Sequence, residues 1–130
     1  EYAVELADEY KATLHVLNVL EKTPPILAIR SLDLSREKII ESIDADAQSH
    51  LSEAVKKIKK INDLEIIPVI RKGIDYEEII KYSKEKKIDI VVIATHGRTG
   101  LIHTLLGSVA EKVIRYSKIP VLVTTPPSKS

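Results

Sequence analysis

Residues 90–113 read IVVIATHGRTGLIHTLLGSVAEKV, and this stretch holds most of the side chains that could do chemistry. An apolar run ends at Ala94 or Thr95, a loop with Gly97 and Gly100 follows, and Gly107-Ser108 opens a segment of helical spacing. Glycine has no Cβ, so backbone N–H groups beside it can approach phosphate oxygens closely. A helix amino terminus adds N–H groups without intrahelical acceptors and the positive end of a dipole, both suited to an anion. Ser108 can cap that helix and can also donate its hydroxyl to a phosphate. Arg98 stands beside two glycines, where its guanidinium can pair with phosphate or lie in solvent. Turn geometry and ordinary capping account for the same residues, so spacing alone leaves anion binding and a plain strand-to-helix turn both open. The stretch is not a P-loop, because no Gly-Lys-Ser/Thr is present, and its glycines are too far apart for a dinucleotide fingerprint.

Other polar residues offer less. His15, His50, His96 and His103 are scattered over a strand, a helix and the loop, without metal-ligand spacing. The chain has no cysteine, which excludes a disulfide framework, a thiolate metal site and a thiol nucleophile. Asp44 and Asp46 read as surface charges on a long helix, and Asp89 stands at the entrance of a strand. Rapid phosphoryl transfer needs a positioned base and a firmly held magnesium ion. The loop contains no lysine and no evident base, so no catalytic residue and no protein metal site are assigned, and slow phosphoryl transfer is the most that is expected.

The elements that must position the loop follow from periodicity. Short β-branched runs at 13–20, 64–70, 88–94 and 119–125 predict strands. Ile40, Ile43, Ala47, Leu51, Ala54, Ile58 and Ile61 recur at steps of three and four, which predicts one buried stripe on a long helix. Shorter helices are expected over 1–10, 75–86 and 107–117. Asp75 with Glu78 has the capping-box spacing, and Gly73 permits a tight turn before it. Strands alternating with helices predict a parallel sheet covered on both faces, a doubly wound three-layer α/β/α sandwich. The unbroken apolar run IDIVVIA fits a strand buried on both sides. Pro68 removes a ladder donor and predicts an edge strand. In such sheets ligands sit outside the carboxyl ends of the strands, where the glycine loop emerges.

Bulk properties narrow the class. At 130 residues one domain over 1–130 is expected. The formal net charge of +1 lacks the concentrated basic face that nucleic-acid binding requires. The run Lys56, Lys57, Lys59, Lys60 reads as a solvated helix face. No apolar run approaches the roughly 20 residues that cross a bilayer, and no secretory signal is visible, so a cytoplasmic protein without membrane contact is expected.

Residues 95–101 (THGRTGL) and 105–113 (LLGSVAEKV) closely resemble the nucleotide loop of the universal stress protein family, in which two glycines three apart precede Gly-Ser or Gly-Thr at the start of the last helix. LHVLNV, IDIVVIA and IPVLVTT are similar to the family's second, fourth and fifth strands, so the resemblance spans nearly the whole chain. It implies ATP binding, with ADP or AMP as variants and magnesium expected from triphosphate chemistry. It places Gly97, Arg98, Gly100, Gly107, Ser108 and Val109 along the triphosphate and ribose, and Val19 against adenine. It implies a five-strand parallel sheet of order 3-2-1-4-5 and a homodimer through the last strand, bounded by Ile119 and Thr125. The family's first strand has no counterpart here, and without it the sheet would divide into two pairs of strands, so a missing leading strand is expected. The implied role is an ATP-dependent stress-response switch acting on an unknown protein partner. The alternatives are a slow ATPase stimulated by a partner and a dimerisation module that binds no nucleotide.

Overall fold

A computed structural model of the chain describes residues 2–22, 36–95 and 106–125. The element order is α1 (Tyr2–Tyr10), β1 (Leu14–Leu20), α2 (Arg36–Ile61), β2 (Ile66–Lys72), α3 (Asp75–Glu85), β3 (Val91–Ala94), α4 (Ser108–Tyr116) and β4 (Val121–Thr124). The alternation expected from periodicity is therefore present, and the protein is of mixed α/β type with parallel strands. The chain divides into two compact units, residues 3–73 and 74–130.

In the first unit β1 and β2 form a parallel two-stranded sheet running in register from Leu14 opposite Ile66 to Leu20 opposite Lys72. The ladder is continued by Leu14 N–H donating to the Glu65 carbonyl and Gly73 N–H donating to the Leu20 carbonyl, each at 2.9 Å. Gly73 has φ 152°, a region glycine enters at little cost, and this lets the chain turn sharply off β2. Ala7, Leu64 and Ile66 make the buried centre, with Val4, Leu14, Val16, Val55 and Ile58 packed around it. The stripe on α2 is buried or half-buried from Ile40 to Ile58, but Ile61 is 83% exposed. It is the last helical residue, beyond the turn that faces the sheet. The four lysines at 56–60 are all exposed, as a solvated face requires. Pro68 is exposed on β2, which among the described residues has β1 as its single partner, in keeping with an edge position.

In the second unit β3 and β4 pair in parallel from Val91 opposite Val121 to Ala94 opposite Thr124. Val113 at 0%, Ala110 at 2% and Tyr82 at 3% exposure are its most buried hydrophobic residues. The strand expected over 88–94 begins at Val91, because Ile88 is taken up in ending α3. Lys87 adopts φ 50°, its N–H reaches the Lys84 carbonyl at 3.3 Å, and Ile88 N–H reaches the Ser83 carbonyl at 2.9 Å. That is a Schellman motif. The end of α1 repeats it, with Lys11 at φ 54° and Ala12 N–H donating to the Ala7 carbonyl at 2.9 Å. Nor is β3 buried on both faces: Val91, Val92 and Ile93 are half-buried and Ile90 is 39% exposed. Among the described residues β3 pairs with β4 alone, so its other edge carries no strand.

The capping box expected at α3 is replaced by a different arrangement. Ile74 occupies the N-cap position with no side-chain cap, and Asp75 is the first helical residue, its Oδ1 accepting from Tyr76 N–H at 2.7 Å. Residues 23–35, which precede α2, and residues 126–130 lie outside the described residues.

Candidate functional site

The best-placed polar features gather where β3 gives way to α4. Thr95 follows the last residue of β3, and its N–H extends the ladder by donating to the Thr124 carbonyl at 2.7 Å. Its own carbonyl accepts from Gly107 N–H at 2.6 Å, which ties the start of α4 to the end of the strand. Gly107 is the N-cap, with φ −61° and ψ 150°. The first intrahelical bond runs from Glu111 N–H to the Gly107 carbonyl at 3.0 Å. The N–H groups of Ser108, Val109 and Ala110 precede that bond and so have no acceptor within the helix.

Two details at this end bear on chemistry. The dihedrals of Gly107 are open to any residue, so the local backbone does not call for glycine there; what glycine contributes is the absence of a Cβ. Ser108 is the first helical residue rather than the cap, and α4 has no side-chain cap bond, which corrects the expectation that Ser108 caps this helix. Its side chain is exposed, while Val109 is half-buried. The hydroxyl stays at the surface beside the positive end of the helix, where an anion is favoured by charge and by hydrogen bonding together.

Of the residues singled out in the sequence, Gly107, Ser108 and Val109 are thus consecutive at one helix end. Gly97, Arg98 and Gly100, with His96 and His103, fall in residues 96–105, outside the described residues. Val19 lies on β1 in the other unit, half-buried and opposite Arg71. His15 is half-buried on β1, and His50 is exposed on α2. Asp44 is more than a free surface charge, since its Oδ2 pairs with Lys72 Nζ at 2.9 Å, both side chains 41% exposed. Such an exposed pair is worth about 0–1 kcal/mol. Among the described residues no three His, Asp or Glu side chains come together as a metal site. No helix among them is long and apolar enough to cross a membrane.

Sequence reasoning passed over a cluster on the flank of α4. Tyr76 of α3 stacks against Tyr116 with ring centroids 6.0 Å apart and tilted by 30°, and Lys112 Nζ lies 4.9 Å from the centre of the Tyr76 ring. Tyr76 OH donates to Glu77 Oε1 at 3.3 Å. Partial desolvation between the helices, followed by the negative charge of Glu77, raises the Tyr76 hydroxyl above the ordinary tyrosine value. Lys112 and Tyr116 stand four apart, the spacing of one helix face, but nothing in the sequence says which α3 residue meets them.

The sequence profile of the universal stress protein family matches residues 1–125. The chain belongs to the universal stress protein family. It is 33% identical over 132 aligned positions to universal stress protein MJ0531 of Methanocaldococcus jannaschii, covering 99% of this chain and 74% of that protein. It is 35% identical over 118 positions to universal stress protein MJ0577 of the same organism, covering 85% and 73%. The solved structure of MJ0577 superposes with a TM-score of 0.77 at 26% identity, over 98% of this chain and 88% of that one. A crystal structure of a universal stress protein in complex with cAMP shares the fold at a TM-score of 0.68 and 22% identity, over 95% and 82%.

Proposed function

We propose that this universal stress protein binds an adenine nucleotide, ATP foremost, with its phosphates at the amino terminus of α4. The observation that carries the reading is the pairing of an N-cap glycine whose backbone does not need glycine with an exposed Ser108 hydroxyl that caps nothing. Together they leave an open approach and a free hydroxyl donor at the positive end of the helix, which suit a close-approaching anion. That a universal stress protein of this fold has been solved with cAMP supports an adenine nucleotide as the ligand class.

The roles follow from the chemistry of each group. The N–H groups of Ser108 and Val109 and the Ser108 hydroxyl donate to phosphate oxygens, Gly107 keeps the approach open, and Gly97, Gly100 and Arg98 complete the cradle. Val19 is assigned to adenine on the family resemblance. When bound, ATP supplies three phosphates for the cradle to hold. Magnesium enters with the triphosphate, whose oxygens and water supply its ligands. The proposal extends to a single domain over 1–130, to the family's five-strand parallel sheet of order 3-2-1-4-5 in which β1 to β4 here stand as the second to fifth strands, to a homodimer through the last strand and to a cytoplasmic location. Nucleotide acts as a switch through its different affinity for two states of the protein or its assembly.

The test is to denature freshly purified protein, identify any released nucleotide by chromatography, and titrate the emptied protein with ATP and magnesium. Nucleotide released near one per chain, and lost when Gly100 and Gly107 are replaced by valine, supports the reading. No released nucleotide and no binding heat leaves the dimerisation module in its place.

A further inference from the structure

The end of α4 is useful to an anion only if the helix is held at a fixed rotation and tilt. α4 has nine residues, too few to be stable on propensity alone, so its orientation depends on what packs against it. One face is fixed by Ala110 and Val113, at 2% and 0% exposure. On the flank of that face run Ser108, Lys112 and Tyr116, each four residues from the next and therefore on one stripe. Tyr76 covers the last two of the three, Lys112 with the face of its ring and Tyr116 by tilted stacking. It leaves Ser108 open at the stripe's amino-terminal end.

We infer that Tyr76 is a positioning residue for the phosphate-binding end of α4, acting through Lys112 and Tyr116. The inference rests on the nucleotide reading above and adds to it a residue on a different helix, remote in sequence from the glycine loop. A helix gripped on one face can still roll about that face. A second grip on the flank removes the roll, and roll sets the direction of the first-turn N–H groups and of Ser108. The two kinds of contact are non-covalent and exposed: Tyr116 is 53% accessible, so the clasp has little to do with burying a core. Its removal therefore loosens an orientation more than it unfolds a domain.

Binding of ATP and of adenosine separates positioning from general support, because only the phosphates meet the end of α4. Both ligands are titrated by NMR, which reads weak binding, into the unaltered chain and into Tyr76→Ala, Tyr76→Phe and Tyr116→Ala. Circular dichroism confirms that each variant is folded. The expected result is ATP binding about three- to tenfold weaker in Tyr76→Ala and Tyr116→Ala, the fold-change that loss of one or two exposed ring contacts gives. Tyr76→Phe keeps the ring and the unaltered affinity, and adenosine binds all four proteins alike. Unchanged ATP affinity in both alanine variants overturns the inference and leaves the nucleotide reading standing. An equal loss for ATP and adenosine also overturns it, since that marks a general disturbance. Absence of ATP binding by the unaltered chain overturns the nucleotide reading itself, and this inference with it.

Discussion

The N–H of Gly107 donates to the carbonyl of Thr95 at 2.6 Å, joining the residue that follows β3 to the N-cap of α4. Thr95 and Gly107 are thereby joined main chain to main chain. The start of α4 is consequently set by the end of the strand, and the side chain of Ser108 is left out of that task.

Because φ at Gly107 is −61°, proline fits its backbone but supplies no N–H. Gly107→Pro should lose the bond to Thr95 and about 1 kcal/mol of stability beyond Gly107→Ala. Gly107→Ala keeps the donor and should cost under about 1 kcal/mol, the usual preference of an N-cap for glycine over alanine. Urea denaturation of the two variants checks the ordering; equal midpoints would mean the bond contributes nothing.

Ser108→Ala removes a hydroxyl that caps nothing. Stability should change by less than about 0.5 kcal/mol, as at other exposed positions. ATP affinity should fall at least about tenfold, the value of a hydrogen bond to a charged acceptor. Calorimetry on the folded variant reads the second number, and an unchanged affinity would take the hydroxyl out of the site.

Lys11 and Lys87 each hold a left-handed conformation at the C′ position of a Schellman motif, where glycine pays no Cβ penalty. Lys11→Gly and Lys87→Gly should each raise stability by about 0.5–1 kcal/mol. Thermal melts check this. A fall on substitution would show that the lysine side chains do more at these ends than the backbone geometry indicates.

Val113 has no exposed surface, whereas its neighbour Ile114 is 44% exposed. Val113→Ala should cost about 2 kcal/mol through lost burial and the cavity left behind, and Ile114→Ala less than about 1 kcal/mol. Comparable losses from the two would mean that Ile114 is covered in solution, as it would be by a second copy of the chain.

Much of the fold was legible because the signals are local. Helical spacing located α2 from its buried stripe, and β-branched runs located the four strands of the described residues; each depends on residues within a turn or two of one another. The helix end that carries Gly107, Ser108 and Val109 was legible for the same reason, since the three are adjacent in the chain. Boundaries and caps were less so. Asp75 and Glu78 have the spacing of a capping box, yet Ile74 takes the cap position, because the turn made at Gly73 decides where the first helical residue falls.

By itself the sequence determined the order and kind of the elements and the family to which the chain belongs. Only the tertiary structure decided that Ile88 ends a helix instead of starting a strand, that Ser108 is released from capping, that Asp44 pairs with Lys72, and that Tyr76 meets Lys112 and Tyr116. The physical reason is one of range. Periodicity and propensity act between neighbours, whereas the choice among competing hydrogen-bond acceptors and the meeting of side chains from separate helices depend on how the chain is brought back upon itself.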